Sequence, residues 1–165
     1  APGVARRVIT VGASSDNDAV VDFSGRGPTR DNRPKPDVCF PGENIISCRA
    51  RGTSLGQVID DHYTERSGTS MATPQAAGAV ALILQRRPDH RPEQVKEIFK
   101  QTAVNMGSDA NAQGSGRADV FRAVQSNVWP AVQPEPVPPG LTPVQPPAPA
   151  HGGCSRVVVN MFKRN

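Results

Sequence analysis

Short apolar runs and turn residues alternate over the first part of the chain. Between residues 8 and 48, runs of Val, Ile, Cys and Phe are interrupted by Gly, Pro, Asn and Asp. Continuous apolar runs of this kind are typical of strands buried on both faces of a sheet, and the interruptions predict turns. We therefore predict strands at Val8–Val11, Val20–Phe23, Val38–Phe40 and Ile45–Cys48, with polar, irregular chain over residues 49–66.

The apolar pattern becomes helical at Ser70. Residues 71–84 leave almost no polar face, and a helix that is apolar all round is a buried helix. Proline is tolerated in the first helical turn, where its missing N–H costs nothing. Pro74 therefore places the predicted start of this helix at Thr69–Ser70.

Two further helices are predicted beyond the buried one. The first begins at about Pro92, carries Glu93 in its first turn and has one apolar stripe, and a shorter helix follows Gly116. The stripe consists of Val95, Ile98, Phe99 and Ala103, and the inward-facing residues of the shorter helix are Val120, Phe121 and Val124. Strands followed by a buried helix and then amphipathic helices indicate the later half of a layered α/β domain.

The distribution of proline adds a domain boundary. Nine of the 17 prolines lie between Pro130 and Pro149, a tract that favours extended polyproline II structure. We predict a globular domain over residues 1–128, a Pro-rich linker over residues 129–153 and a short C-terminal tail over residues 154–165. The tail is either a strand or a disordered end.

Charge and hydropathy exclude several classes of partner. The net charge is +4, the basic residues are scattered and only 4% of residues are aromatic, so no nucleic-acid partner is expected. The longest apolar run, Ala76–Leu84, is too short to span a bilayer, so no membrane partner is expected either. No basic-led signal peptide opens the chain, but it begins at Ala1 rather than Met, and the localisation stays unknown.

The three cysteines and one acidic turn are the candidates for disulfide or metal sites. The cysteine count gives no disulfide framework, and no spacing suggests zinc. Cys39 and Cys48 are predicted to be small buried hydrophobes, with a bridge between them as an open alternative. The segment Asp16–Asp18 has acids that could suggest calcium, but it lacks the ligand-loop pattern and is predicted to be a turn.

Ser70 is the candidate for chemistry. It follows a glycine-containing turn at the start of the buried helix, where unpaired N–H groups and the helix dipole favour negative charge. A hydroxyl attacking a carbonyl from there would form its oxyanion beside a backbone donor. A serine at a helix start is more commonly an N-cap, and position alone favours that role.

The longer sequence around Ser70 favours a nucleophile over an N-cap. The segment Ser67–Gly78, with its Gly-Thr-Ser-Met-Ala-Thr-Pro sequence, closely resembles the nucleophile motif of the subtilisin-like serine proteases, the subtilases. Other blocks resemble the same family in the same order, over about residues 3 to 125. They are Val8–Ala13, Phe23–Thr29, Lys35–Val38, Phe40–Ile45, Arg91–Lys96 and Gly114–Asp119.

The resemblance implies an α/β fold, namely the later portion of a subtilisin-like three-layer parallel-sheet domain followed by a Pro-rich tail. It implies that Ser70 is the catalytic nucleophile and that its own N–H forms half of the oxyanion hole. Gly68 and Thr69 would line the substrate cleft, and the substrate would be a peptide or protein. Gln75 replaces a family histidine that is not the catalytic one. The chemistry needs no cofactor; structural calcium occurs in many subtilases, but no ligand is assigned here.

The remaining catalytic blocks of the family are absent. Its aspartate, histidine and oxyanion asparagine all precede the strand at Val8, and none of the three histidines, His62, His90 and His151, has the family context. His62 as a substitute base is a minor alternative to an ordinary loop histidine. Without a base the Ser70 hydroxyl is a weak nucleophile, so the chain alone is expected to be inactive. The expected partner is the missing N-terminal half, without which the fold should be marginal or prone to aggregate.

Other functions fit less well. A nucleophile elbow would need glycine where Ala72 stands and a histidine near the domain's end, and His151 lies in the Pro-rich region. The alternative kept open is a catalytically inactive fragment or pseudoenzyme that acts, if at all, as a binding module through its Pro-rich tail. The sequence favours a serine endopeptidase of the subtilisin type, present as its nucleophile-bearing C-terminal portion.

Overall fold

Two parallel strands form the centre of the fold. The computed structural model describes residues 2–127, in which a short 3₁₀ turn, Pro2–Val4, precedes β1 (Val11–Ser14) and β2 (Val38–Pro41). The strands pair in parallel from Val11 opposite Val38 to Ser14 opposite Pro41. The predicted linker from residue 129 and the C-terminal tail lie outside the described residues, so the domain boundaries stay predictions.

Strand β1 begins three residues later than the predicted start at Val8. The reason is a side chain: the Thr10 N–H donates to the Asp37 carboxylate at 2.7 Å, while the Thr10 carbonyl accepts from the Asp37 N–H at 2.8 Å. Pairing with a side chain at this point replaces the regular strand ladder. The apolar run Val8–Val11 therefore enters the sheet only at its last residue.

The predicted strand Val20–Phe23 is wrong. Only an isolated antiparallel bridge joins Val20 to Ser14, and the chain then turns, with the Ser24 N–H donating to Val21 O at 3.0 Å. The Ser24 hydroxyl accepts the Ala13 N–H at 3.0 Å, which a neighbouring strand would otherwise receive. The Ser24 hydroxyl thus takes the place of a carbonyl from a paired strand. The pairing of residues 20–23 with β1 ends there, and Phe23 is left half exposed.

A second, antiparallel sheet corrects the prediction of irregular chain over residues 49–66. Its strands are β3 (Ile45–Cys48), β4 (Gln57–Val58) and β5 (Tyr63–Arg66), in the order β3-β5-β4. The strand predicted at Ile45–Cys48 is confirmed.

The burial predicted for Cys48 is wrong, because Cys48 pairs with Tyr63 in this small sheet and both side chains are exposed. Cys39, at the centre of β2, is fully buried as predicted, and burial raises the pKa of its thiol to about 11. Both cysteines are free, so the alternative of a bridge between them is wrong.

Four α-helices follow up to residue 127, where the description ends: α1 (Thr69–Arg86), α2 (Pro92–Thr102), α3 (Ala110–Gln113) and α4 (Val120–Gln125). The predicted starts of α1 and α2 are confirmed, and α3 was not predicted. The prediction that Phe121 faces inward is wrong, because Phe121 is 71% exposed. Helix α4 is too short to bury more than one side, and that side is taken by Ala123, with Val120 and Val124 partly buried.

Helix α1 is buried on one side only. Ala72, Ala76, Ala79 and Ile83 recur at the spacing of one helix face and pack against the core. Leu82, on the other side, is 49% exposed. The prediction of a fully buried helix is thus wrong for this chain, as expected if the sheet lacks strands that would cover the second face.

The core between the parallel strands and the helices contains an aromatic pair and a buried ionic cluster. Phe40 and Phe99 pack edge to face with ring centroids 5.6 Å apart. At the sheet's amino end, the Asp37 carboxylate accepts from Lys35 Nζ at 2.7 Å and pairs with Lys96 Nζ at 2.9 Å. Burial opposes ionisation of Asp37, but these lysines and the Thr10 N–H hold its pKa below the usual value.

Candidate active site

Ser70 lies in the first turn of α1 and is exposed. The N-cap of this helix is Gly68, so the N-cap role considered for Ser70 is wrong. Within residues 2–127, the Ser70 hydroxyl has no hydrogen-bond partner. The neighbouring Thr73 hydroxyl is engaged within the helix, where it donates to Thr69 O at 2.8 Å. The Ser70 hydroxyl is therefore free to meet a ligand.

The turn before Ser70 requires glycine. Gly68 has φ 156° and ψ 157°, a backbone conformation that L side chains rarely adopt. Its carbonyl accepts the Met71 N–H at 2.9 Å, which starts the helix. The N–H groups of Thr69 and Ser70 find no acceptor among the described residues, as is usual for the first turn of a helix. Together with the helix dipole, they favour negative charge beside the Ser70 hydroxyl.

Gly42 fastens this turn to the parallel sheet. Its N–H donates to Ser14 O at 2.9 Å, and its carbonyl accepts the Gly68 N–H at 2.7 Å. A side chain at Gly42 has no room, because a Cβ there would lie 2.7 Å from Ala13 Cβ and 2.9 Å from Gly68 O. The Ser70 turn therefore packs directly on the carboxyl ends of β1 and β2, where open parallel sheets bind ligands.

Two side chains add to this attachment. Gln75, in the position where the family resemblance expects histidine, donates from Nε2 to Pro41 O at 2.9 Å. Ser67 accepts the Asn44 N–H on its hydroxyl oxygen at 2.9 Å. Gln75 thus ties α1 to the end of β2, which shows a structural use for the residue that departs from the family pattern.

The described histidines do not meet Ser70. His62 precedes β5, and the strand carries it about 13 Å from the end that leads to the Ser70 turn, at about 3.3 Å per residue. His90 follows α1, whose 18 residues place it about 27 Å along the helix axis. His151 lies outside the described residues. Among residues 2–127 no His, Asp or Glu side chain makes a hydrogen bond to Ser70 Oγ, so the substitute role of His62 gains no support.

The acidic turn offers no complete metal site. Both carboxylate oxygens of Asp18 contact the Arg117 guanidinium, and Asp16 is exposed on the surface. In the part of the chain that the structure describes, no group of three or more His, Cys, Asp or Glu side chains could hold a metal ion. The ligands of the calcium implied by the resemblance stay unassigned. Within the same residues, no helix is long and apolar enough to cross a membrane.

A family profile and a named relative each match more than two thirds of this chain. The sequence profile of the Subtilase family matches residues 1–116. Serine protease AprX of Bacillus subtilis (strain 168) is 43% identical over 136 residues, which are 74% of this chain and 31% of AprX. The chain therefore spans about a third of that relative's length.

Solved structures agree with the sequence comparison. The crystal structure of fervidolysin from Fervidobacterium pennivorans, a keratinolytic enzyme related to subtilisin, is 26% identical with a TM-score of 0.61, covering 76% of this chain and 20% of that one. The CspB protease of Clostridium perfringens is 32% identical with a TM-score of 0.59, covering 74% and 27%. These neighbours confirm the predicted subtilisin-like α/β fold. With its profile match over residues 1–116, the chain belongs to the subtilase family.

Proposed function

We propose that this chain is the nucleophile-bearing C-terminal portion of a serine endopeptidase that cleaves peptide or protein substrates. The observation that supports the proposal best is the placement of Ser70. Its exposed hydroxyl stands at the start of an 18-residue helix, beside unpaired N–H groups, at the carboxyl ends of the parallel strands. This arrangement suits attack on a carbonyl whose oxygen becomes negatively charged.

The proposed reaction proceeds through an acyl-enzyme. Ser70 Oγ attacks the scissile carbonyl carbon and loses its proton, and the Ser70 N–H donates to the oxyanion. Collapse of the tetrahedral intermediate breaks the peptide bond and leaves the acyl group on Oγ, and water then releases it. The base that takes the Ser70 proton, and returns it to the leaving amine, comes from outside the described residues. The reaction needs no cofactor.

We further propose that the chain alone is inactive and that its activity requires a partner. The outer face of α1 presents small or apolar residues to solvent, among them Gly78 and Leu82. Burying an exposed leucine contributes about 1.5–3 kcal/mol, and glycine allows close backbone approach. We propose that an N-terminal half of the catalytic domain covers this face and supplies the aspartate, the histidine and the second oxyanion donor.

Hydrolysis by the assembled protein tests this function. The chain is mixed with a separately produced upstream segment that carries the family's aspartate, histidine and asparagine blocks, and casein cleavage is followed. We expect cleavage from the mixture only. It should disappear in Ser70→Ala and persist in Ser108→Ala, a control serine remote in sequence from the turn, whose hydroxyl makes no hydrogen bond with the described residues. Cleavage that survives Ser70→Ala would contradict the proposal. Absence of cleavage from every mixture would favour the inactive fragment or pseudoenzyme.

A further inference from the structure

Basic side chains gather at the amino ends of β1 and β2, the end of the sheet opposite the candidate nucleophile. The segment that leads into β1 and the loop that leads into β2 meet there. Arg6 Nη2 donates to the Asp31 carboxylate at 2.7 Å, and Arg33 Nη2 donates to Val4 O at 2.8 Å. These contacts bring together arginines that are about 25 residues apart in the sequence.

This group of charges accounts for the basic character of the chain. The basic cluster consists of Arg6, Arg7, Arg30, Arg33, Lys35 and Lys96, with the carboxylates of Asp31 and Asp37 among them. Lys96 joins its parts, since Nζ donates to Arg6 O at 3.1 Å and pairs with Asp37 at 2.9 Å. The net charge of the cluster is +4, which equals that of the whole chain. The electrostatic potential at this end of the sheet therefore favours an anionic partner.

The loop Thr29–Arg33 is stabilised by its own hydrogen bonds. The Thr29 N–H donates to Arg33 O at 2.9 Å, and the Arg33 N–H donates to the Thr29 hydroxyl oxygen at 3.0 Å. The Asp31 carboxylate accepts from Arg33 Nε at 2.9 Å and from the Thr29 hydroxyl at 2.6 Å, and both bonds hold the pKa of Asp31 below its usual range. A surface fixed in this way loses little conformational entropy when a partner binds.

Arg7 and Arg30 are the guanidiniums available to a ligand. Each is one residue from a member of the Arg6–Asp31 ion pair, and both are exposed. Neither makes an ion pair or a side-chain hydrogen bond with any residue between 2 and 127. The group that suits this surface is shown by Asp31, whose carboxylate lies between two guanidiniums, because arginine binds carboxylates through directed hydrogen bonds.

We propose that the basic cluster docks an acidic segment of a polypeptide partner, whose carboxylates pair with Arg7 and Arg30. In an extended segment alternate side chains point to one side, so acidic residues at alternate positions present a row of carboxylates to the cluster. A nucleic-acid partner fits less well, because no residue of the cluster is an aromatic platform for bases. The docked segment leaves the carboxyl ends of the strands, and with them Ser70, open to a substrate.

Fluorescence anisotropy of labelled peptides tests the proposal on the full chain. The probe is a peptide of alternating Glu and Gly, and its control is a peptide of the same length with Gln in place of Glu. We expect saturable binding of the Glu-Gly peptide only. Its affinity should fall with salt, because the Debye length shortens from about 30 Å at 0.01 M to about 10 Å at 0.1 M ionic strength.

Two double variants with the same change in charge separate the cluster from a net-charge effect. Arg7→Gln with Arg30→Gln should weaken binding about four- to twenty-fivefold, at about two- to fivefold for each exposed ion pair. Arg51 and Arg66 are also exposed, but they belong to the region of the small antiparallel sheet. Arg51→Gln with Arg66→Gln should weaken binding by less than about twofold, because screening limits the reach of distant charges.

Asp31→Asn gives a change of opposite sign. It frees Arg6 and Arg33 for the partner, so it should strengthen binding about two- to fivefold. Damage to the fold would weaken binding instead, and thermal unfolding of every variant checks that the fold is retained.

Three results would overturn the proposal. They are equal binding of the Glu-Gly and Gln-Gly peptides, equal weakening by the two double variants, and weaker binding by Asp31→Asn. A DNA duplex that binds more tightly than the Glu-Gly peptide, and loses affinity in the Arg7 and Arg30 variant, would also contradict it and would indicate a nucleic-acid surface.

Discussion

Two Gly→Ala substitutions should change stability in opposite directions. At Gly42 a Cβ would lie 2.7 Å from Ala13 Cβ and 2.9 Å from Gly68 O, whereas at Gly78 it would meet nothing within 4 Å. The atoms around Gly42 belong to the sheet and to the Ser70 turn, so neither can rotate away. Overpacking of this kind costs about 1–3 kcal/mol. In the exposed helix at Gly78, alanine is preferred over glycine by about 0.5–1 kcal/mol.

Chemical denaturation of the full chain measures this difference. For a small protein in urea, the free energy of unfolding falls by about 1–3 kcal/mol per molar denaturant. The two effects add to about 1.5–4 kcal/mol. At a slope of about 2 kcal/mol per molar, this separates the unfolding midpoints of Gly42→Ala and Gly78→Ala by about 0.8–2 M, with the unsubstituted chain between them. Equal midpoints, or a more stable Gly42→Ala variant, would refute the claim that Gly42 fastens the Ser70 turn by close packing.

Two further predictions concern buried groups. Asp37→Asn should destabilise the chain by about 3–5 kcal/mol because it leaves the buried Lys35 ammonium without its counter-charge. Asp31→Asn, which removes a surface ion pair, should cost clearly less in the same denaturation assay. The pKa of Asp37 in the folded chain lies below its ordinary value of 3.8. The stability that Asp37 contributes is therefore present above about pH 4 and is lost as the pH falls through the folded pKa. If Asp37→Asn lost as much stability on acidification as the unsubstituted chain, this prediction would be contradicted. In the native chain, the exposed Cys48 should react with a thiol reagent within minutes. Cys39 is buried and has a pKa of about 11, so it should react only when the chain unfolds. Peptide mapping of the modified chain measures both reactions, and equal labelling of the two cysteines would contradict the burial of β2.

Those parts of the fold that were predictable carry local signals. Pro74 and Pro92 each permit only a narrow choice of helix start, and both helices begin as predicted. The strand Ile45–Cys48 follows a Pro-Gly turn signal and was also found. The placement of Ser70 after a glycine turn could be predicted for the same reason, because Gly68 has a conformation that few other residues adopt.

The parts that were missed depend on tertiary contacts. Strands β4 and β5 are polar and mostly exposed, so no periodic apolar signal marks them, and they form by pairing with β3. Val20–Phe23 has strong strand propensity, but the Ser24 hydroxyl takes the place of a strand partner. The attachment of the Ser70 turn through Gly42 joins segments distant in sequence, from Ser14 to Gly68, and no local pattern predicts it.

Covalent labelling of Ser70 tests the central claim most directly. A fluorophosphonate probe transfers its phosphonyl group to an activated serine hydroxyl and releases fluoride, and peptide mass spectrometry locates the adduct. We predict an adduct on Ser70 only when the chain is combined with the upstream segment, and none in the Ser70→Ala variant. An adduct on Ser70 in the chain alone would mean that these 165 residues contain an activating base, which contradicts the composite site. No adduct in the combined sample would contradict Ser70 as nucleophile.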